Sequence, residues 1–227
     1  TFSKRLAIQL RLLGYDPVQI SLDNYYRPKS EAPRDVDGKA DLEALEALDL
    51  QLFRENLEDL YTGKTVALPR FDFRDNGKRY YTGETISLKE QTILVIEGIH
   101  GLNPSLIPGI DRKTTFKIYI SALTQLNLDD HNRISTTDNR IIRRIVRDNR
   151  TRSTSAETTL LMWPSVERGE SLHIFPYQNQ ADVMINSALE YELAVLKPYA
   201  EPLLKTVKPA SHDAYPTARR LLTFLEN

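Results

Sequence analysis

Two acidic residues close two apolar runs of the chain, and they are the first candidates for chemistry. "VQISLD", residues 18 to 23, alternates as a strand does and ends on Asp23. "TILVIEGIHG", residues 92 to 101, is a continuous apolar run closed by Glu97 and Gly98, the pattern of a strand buried on both faces of a parallel sheet. In open parallel sheets ligands bind beyond the carboxyl ends of the strands. Two acids at such ends suit one site, with Asp23 as general base or positioner and Glu97 as acceptor for a metal or its water. The competing reading is that each acid only caps the turn after its strand.

A second feature is cationic. In "TDNRIIRRIVRDNRTR" Arg140, Arg143, Arg144 and Arg147 follow helical spacing on one face, while Ile141, Ile142, Ile145 and Val146 form another. Like charges so spaced cost roughly 0.2 to 0.5 kcal/mol per pair, so something must compensate, and Asp138 and Asp148 supply part of it. The stripe uses arginine and no lysine, which favours planar, two-pronged capture of phosphate or carboxylate over a merely solvated face. Behind it, Thr154 and Glu157 fit a capping box for a short helix over "SAETTLLMW" that Pro164 should stop. Together these pieces form an arginine-rich helical lid able to close over a substrate and exclude water.

The third feature is aromatic. "RFDFRDNGKRYY", residues 70 to 81, places two arms around Asn76-Gly77, the dipeptide best suited to a two-residue type I′ turn. That turn pairs Phe73 with Tyr80 and sets Phe71 and Phe73 on one face, either as core packing or as a platform for a flat ring. A phosphate loop is harder to find. Gly63-Lys64-Thr65 resembles its end, but the earlier glycine of Gly-x-x-x-x-Gly-Lys-Ser/Thr falls on Glu58 and the segment follows a helix. The opening helix, with Phe2, Leu6, Leu10 and Leu13 on one face and Gly14 as its stop, has no strand or loop leading into it. A first strand and a glycine-rich phosphate loop are therefore expected upstream of Thr1.

The elements that must hold these groups alternate. "DLQLFRENLEDLYTG" is a helix with Leu50, Phe53, Leu57 and Leu60 on one face, Asp49 as its cap and Gly63 as its end. "RPKSEAPRDVDGKAD" before it is a surface loop. "FKIYIS" and "ADVMINS" are further strands, "PTARRLLTFLEN" is a last helix, and "YELAVLKPYAEPLL" is too broken by proline for an assignment. This order predicts an α/β domain over residues 1–227 built on a doubly wound parallel sheet, with a β-hairpin insertion and the arginine-rich lid.

Composition removes several classes. Hydrophobic residues make up 41% and charged residues 27%, the usage of a folded globular chain. Thirty basic side chains against 31 acidic ones leave a net charge of −1, so no global field draws the protein to nucleic acid or an anionic membrane. Without cysteine there are no disulfides or thiolate zinc sites in these residues, as in a reducing compartment. His100, His131, His173 and His212 lie apart and suggest no metal, which makes them surface or packing residues. No apolar run approaches a membrane span. The expectation is a soluble cytoplasmic protein, with homo-oligomer formation left open.

"SLDNYYRP", "LPRFDF" with its basic hairpin, "ILVIEGIHGLNP" and "RRIVRDNRTR" occur in an order that resembles the uridine kinase and phosphoribulokinase family of P-loop kinases. The resemblance covers nearly the whole chain. It is strongest to bacterial uridine kinase-like proteins in which this domain follows a TGS domain and a region similar to part of threonyl-tRNA synthetase. It implies phosphorylation of a nucleoside 5′-hydroxyl by ATP with Mg2+. On that likeness Asp23 is the catalytic aspartate, Glu97 the acid ending a Walker B-like strand near the metal, and Glu43 a ribose contact. Arg144, Arg147 and Arg152 match lid arginines that neutralise the transferring phosphoryl group, with Arg144 nearest the substrate. Tyr26, Phe71 and Phe73 match positions around the base. Characterised uridine and cytidine kinases read the pyrimidine edge with a tyrosine hydroxyl, a histidine and an arginine, where this chain offers Phe71, Asn76 and Thr154. Leu42 stands where a phenylalanine is frequent. Ring stacking survives such changes and polar readout does not, which leaves the base open. Two alternatives remain: a kinase of another small alcohol such as a sugar phosphate, and a catalytically silent regulatory or RNA-associated module on the same fold.

Overall fold

A computed structural model of the chain describes residues 2–36, 38–74, 77–123 and 135–226. It divides into two compact units, Thr1–Thr115 with Gly169–Gln180, and Phe116–Arg168 with Ala181–Asn227.

The first unit opens with α1 (Phe2–Leu12), whose buried residues are the small Ser3 and Ala7. Leu6 and Leu10 are half-buried beside them, but Leu13, expected on the same face, is 73% exposed because the helix has ended before it. Gly14 at φ +88° makes that ending: its N–H donates to the Arg11 carbonyl and the Tyr15 N–H to Leu10. Strand β1 (Asp16–Ser21) follows. Helix α2 (Leu50–Tyr61) forms as its pattern requires, with the Asp49 carboxylate accepting from the Leu52 N–H and Phe53, Leu57 and Leu60 buried. Gly63 at φ +83° closes it, and Lys64 pairs with Asp59 at 2.6 Å, so the Gly-Lys-Thr triplet is a helix end.

Strands β2 (Val66–Asp72) and β3 (Lys78–Ile86) make the hairpin, in a register different from the expected one. Asp72 lies opposite Lys78 and Phe71 opposite Arg79, so Phe73 belongs to the connection and does not pair with Tyr80. The cause is Asp72: its carboxylate accepts from the Arg74 N–H at 3.0 Å and from the Arg74 guanidinium, starting a longer loop at the strand end. The Gly77 N–H then donates to the Arg74 carbonyl, with Gly77 at φ +85°; Asn76 lies outside the described residues. Pro69 sits in β2 where the register shifts, a place that tolerates a missing donor. Strand β4 (Thr92–Glu97) runs parallel to β1, with Ser21 opposite Glu97. Its apolar residues are only half-buried, contrary to the expectation of burial on both faces, and among the described residues of this unit β4 is paired along one edge.

In the second unit β5 (Ile118–Ser121) is followed by α3 (Thr136–Arg152), which Ser135 caps by accepting from the Asp138 N–H. Ile141, Ile142 and Ile145 are buried in one cluster with Leu160, Trp163 and Leu221. Helix α4 (Ala156–His173), whose last residues from Gly169 belong to the first unit, starts one residue later than expected, on Ser155, whose hydroxyl accepts from the Thr158 N–H at 3.1 Å. It also runs through Pro164. A proline inside a helix costs about 3 kcal/mol, and burial of Leu160, Trp163 and Val166, at about 1.5 to 3 kcal/mol for each large side chain, outweighs it. Strand β6 (Val183–Asn186) pairs in parallel with β5, Ile118 opposite Val183. Helix α5 (Glu192–Lys205) absorbs Pro198 and Pro202 in the same way, anchored by Ala200 and Leu204, and α6 (Tyr215–Glu226) buries Ala218, Leu221, Leu222 and Leu225. Each unit thus carries one parallel strand pair with helices packed beside it, an α/β fold. No helix among the described residues is long and apolar enough to cross a membrane.

Candidate active site

Asp23 does not end the strand. β1 stops at Ser21, and one turn of 3-10 helix, Leu22–Tyr25, carries the carboxylate forward. Leu22 and Tyr25 are 2% and 1% exposed and pin the turn on both sides of the half-buried Asp23. Across the strand pair, Glu97 is the exposed last residue of β4 and Gly98 follows at φ +154°. A Cβ at Gly98 would stand 2.7 Å from the Leu22 Cβ, so only glycine lets the exit of β4 lie this close to the Asp23 turn. Both acids therefore sit at the same carboxyl edge of the β1–β4 pair. Among the described residues no group of three or more His, Asp or Glu side chains could hold a metal by itself.

Directly after this turn comes a cluster of rings. Tyr26 lies 5.6 Å from Phe73 and 6.1 Å from Phe71 between centroids, and the two phenylalanines are 4.9 Å apart, edge to face. The sharing of one side by Phe71 and Phe73 holds, although the register behind it differs. With Leu42, Arg27 and Lys29 these rings line a small cleft that has room for about one water molecule. The Tyr26 hydroxyl donates to the Leu42 carbonyl at 2.9 Å, which ties the next residue, Glu43, to the ring cluster through the backbone. Glu43 is held further by its N–H on the Asp41 carboxylate and by close packing under α4, where a Cβ at Gly169 would meet the Glu43 Cβ at 2.3 Å.

Two residues here have no functional reading in the sequence. Asp49 reads there only as a helix cap, yet its second oxygen accepts from Arg79 Nη1 at 2.9 Å, and Arg27 approaches at 3.6 Å. The basic character of the hairpin is the available signal, but nothing in local spacing links residues 30 positions apart. His100, expected to be an ordinary packing residue, is 1% exposed with neither ring nitrogen hydrogen-bonded, and its ring stands 5.9 Å from that of His173. Burial, and then the neighbouring His173, lower its pKa to about 4.

In the second unit the arginine stripe is neither a bare solvated face nor wholly free for a ligand. Asp148, 4% exposed, lies beneath it and is approached by Arg147 at 2.8 Å, Arg144 at 3.3 Å and Arg152 at 3.8 Å. Arg143 pairs with Glu192, Arg220 with Asp138, and Arg140 stacks over Trp163 at 5.9 Å. Of the three arginines around Asp148, Arg147 presents the most surface, with 54% of its side chain exposed against 17% for Arg144 and 28% for Arg152. Thr154, considered for base readout, closes α3 through its N–H on the Asp148 carbonyl.

The chain is similar to known proteins over most of its length. It is 28% identical over 175 residues to a uridine kinase of Macrococcus caseolyticus, covering 77% of this chain and 76% of that protein. It is 25% identical over 189 residues to a uridine kinase of Staphylococcus aureus strain JH9, covering 83% and 82%. Two solved structures share the fold at a TM-score of 0.50: the YGR205w protein, at 16% identity over 82% of this chain and 80% of that one, and a putative fructose transport system kinase from Silicibacter sp. TM1040, at 14% identity over 81% of each. The model of the Phosphoribulokinase / Uridine kinase family matches residues 16–194, and the chain belongs to that family of P-loop kinases.

Proposed function

We propose that the protein transfers the γ-phosphoryl group of ATP to the 5′-hydroxyl of a nucleoside. The observation that supports this most is the continuity of the Asp23 turn with the Tyr26, Phe71 and Phe73 rings: an acid one turn beyond a strand end leads directly into an aromatic cluster. On this reading the rings enclose the base, Glu43 contacts the ribose, and Asp23 orients the hydroxyl and takes its proton. Glu97 would hold Mg2+, directly or through a water, with Asp23 nearby, as suits an ion that needs only one or two protein carboxylates. When bound, that ion offsets charge on the phosphates. Arg144, Arg147 and Arg152 neutralise the group in flight, with Arg147 the most accessible of the three.

The test is ADP release by the full-length protein with ATP and Mg2+, across a panel of nucleosides and ribulose 5-phosphate. Turnover with one or more nucleosides is expected. Activity with the sugar phosphate alone would assign the other branch of the family, and salt-dependent RNA binding without phosphotransfer would mark a silent module.

A further inference from the structure

We infer that Arg79 is a positioning residue that sets the distance between the ring pocket and Asp23. Its guanidinium joins three pieces of the first unit. Nη1 donates to Asp49 Oδ2 at 2.9 Å, and Nη2 donates to the Tyr26 carbonyl at 3.2 Å and the Tyr25 carbonyl at 3.4 Å. Arg79 stands on β3 directly opposite Phe71, so the hairpin carrying Phe71 and Phe73 is tied to the turn carrying Asp23 and to the start of α2. The other oxygen of Asp49 accepts from the Leu52 N–H, which keeps the carboxylate aimed. A second, independent tie lies alongside: the Phe71 N–H donates to Asn24 Oδ1 at 3.3 Å, one residue from Asp23.

The chemistry requires arginine. One carboxylate and two carbonyls in different directions match a planar fork with several donors, whereas a lysine ammonium on a flexible stem serves one of them well. Arg79 Nε is buried with no hydrogen-bond partner among the described residues, and the side chain is only 22% exposed. A buried donor left unsatisfied costs stability, so folding alone would favour an apolar residue here. What the arginine supplies is a fixed geometry between hairpin and turn.

This inference rests on the reading that Asp23 takes the proton of a hydroxyl belonging to a ring-bearing substrate. A loosened hairpin lets the ring, and with it the hydroxyl, drift from the carboxylate, and misplacement on the order of 1 Å is enough to cost about 100-fold in rate. In the full-length protein, Arg79→Met is expected to lower kcat/KM for the nucleoside by about 10- to 100-fold while KM for ATP stays unchanged. Arg79→Lys keeps the charge without the fork and is expected to recover only part of that loss. A loss that falls equally on ATP and nucleoside, or a kcat/KM within about twofold of the parent, overturns the inference. Amide hydrogen exchange separates it from the function itself. Even if no nucleoside is phosphorylated, Arg79→Met should speed exchange of the Phe71 and Arg27 N–H groups about tenfold or more and leave Leu57 in α2 protected. Unchanged exchange at Phe71 and Arg27 overturns the clamp. Should Arg79→Met fail to fold, Arg79→Lys and Asp49→Asn carry the same measurements.

Discussion

Replacing His100 with leucine should remove a pH-dependent weakness of the fold. His100 is buried beside His173 with neither ring nitrogen hydrogen-bonded, and burial followed by the repulsion of His173 lowers its pKa to about 4. The nearby Ala44 backbone and the carboxylates of Glu46 and Asp41 act in the opposite direction and are outweighed. In the unfolded chain the ring titrates near 6.5, so between those values the unfolded state binds the extra proton. Stability from this group is complete above about pH 6.5 and is lost as the pH falls toward 4. Each tenfold difference in proton affinity between the folded and unfolded chain is worth about 1.36 kcal/mol, so linkage predicts a loss of about 2 kcal/mol by pH 5 and about 3 kcal/mol by pH 4. Urea unfolding of the parent and of His100→Leu at pH 7.5, 5 and 4 measures it as a difference of differences, in which titrating groups not coupled to His100 cancel. Because the ring makes no hydrogen bond, the leucine variant is expected to remain folded at pH 7.5. A variant whose stability falls with acid as steeply as the parent's would refute the assignment of the buried, unpartnered ring.

Asp23→Asn removes the proposed proton acceptor while keeping its shape. Turnover should fall by about 100- to 10,000-fold with ATP binding by calorimetry within about twofold of the parent, and near-normal turnover would take Asp23 out of the mechanism. Gly169→Ala puts a methyl group 2.3 Å from the Glu43 Cβ. Alanine in a helix interior ordinarily gains about 1 kcal/mol over glycine, but here overpacking should leave a net loss of about 1 to 3 kcal/mol in urea unfolding, together with a raised nucleoside KM. A stabilised Gly169→Ala protein would show that the close approach of α4 to Glu43 is not tight.

Much of the frame is legible in short-range patterns. The cap Asp49 and the stops Gly14 and Gly63 are where local chemistry puts them, because capping and positive φ depend on a few adjacent residues. The hairpin is legible as a hairpin but not in its register: the turn dipeptide points to a short connection, and the Asp72 carboxylate starts a longer one. Pro164 reads locally as a stop, and burial of Trp163 and Val166 on either side of it overrides that signal. The arginine stripe is visible by spacing and composition. Its neutralisation is only partly visible, since Asp148 lies within it while Glu192 comes from another helix.

The sequence by itself determined most of the helices and strands, though not α5 or the full length of α4, that acids would follow parallel strands, and that arginines would line one face of a helix, all consequences of periodicity and turn chemistry over a few residues. Only the tertiary structure decided that Glu97 stands across from the end of β1, that three rings meet beside Asp23, that Asp49 and Arg79 clamp the hairpin, and that His100 is buried without a partner. Those relations join residues tens of positions apart. They depend on side-chain packing, which only the folded chain specifies.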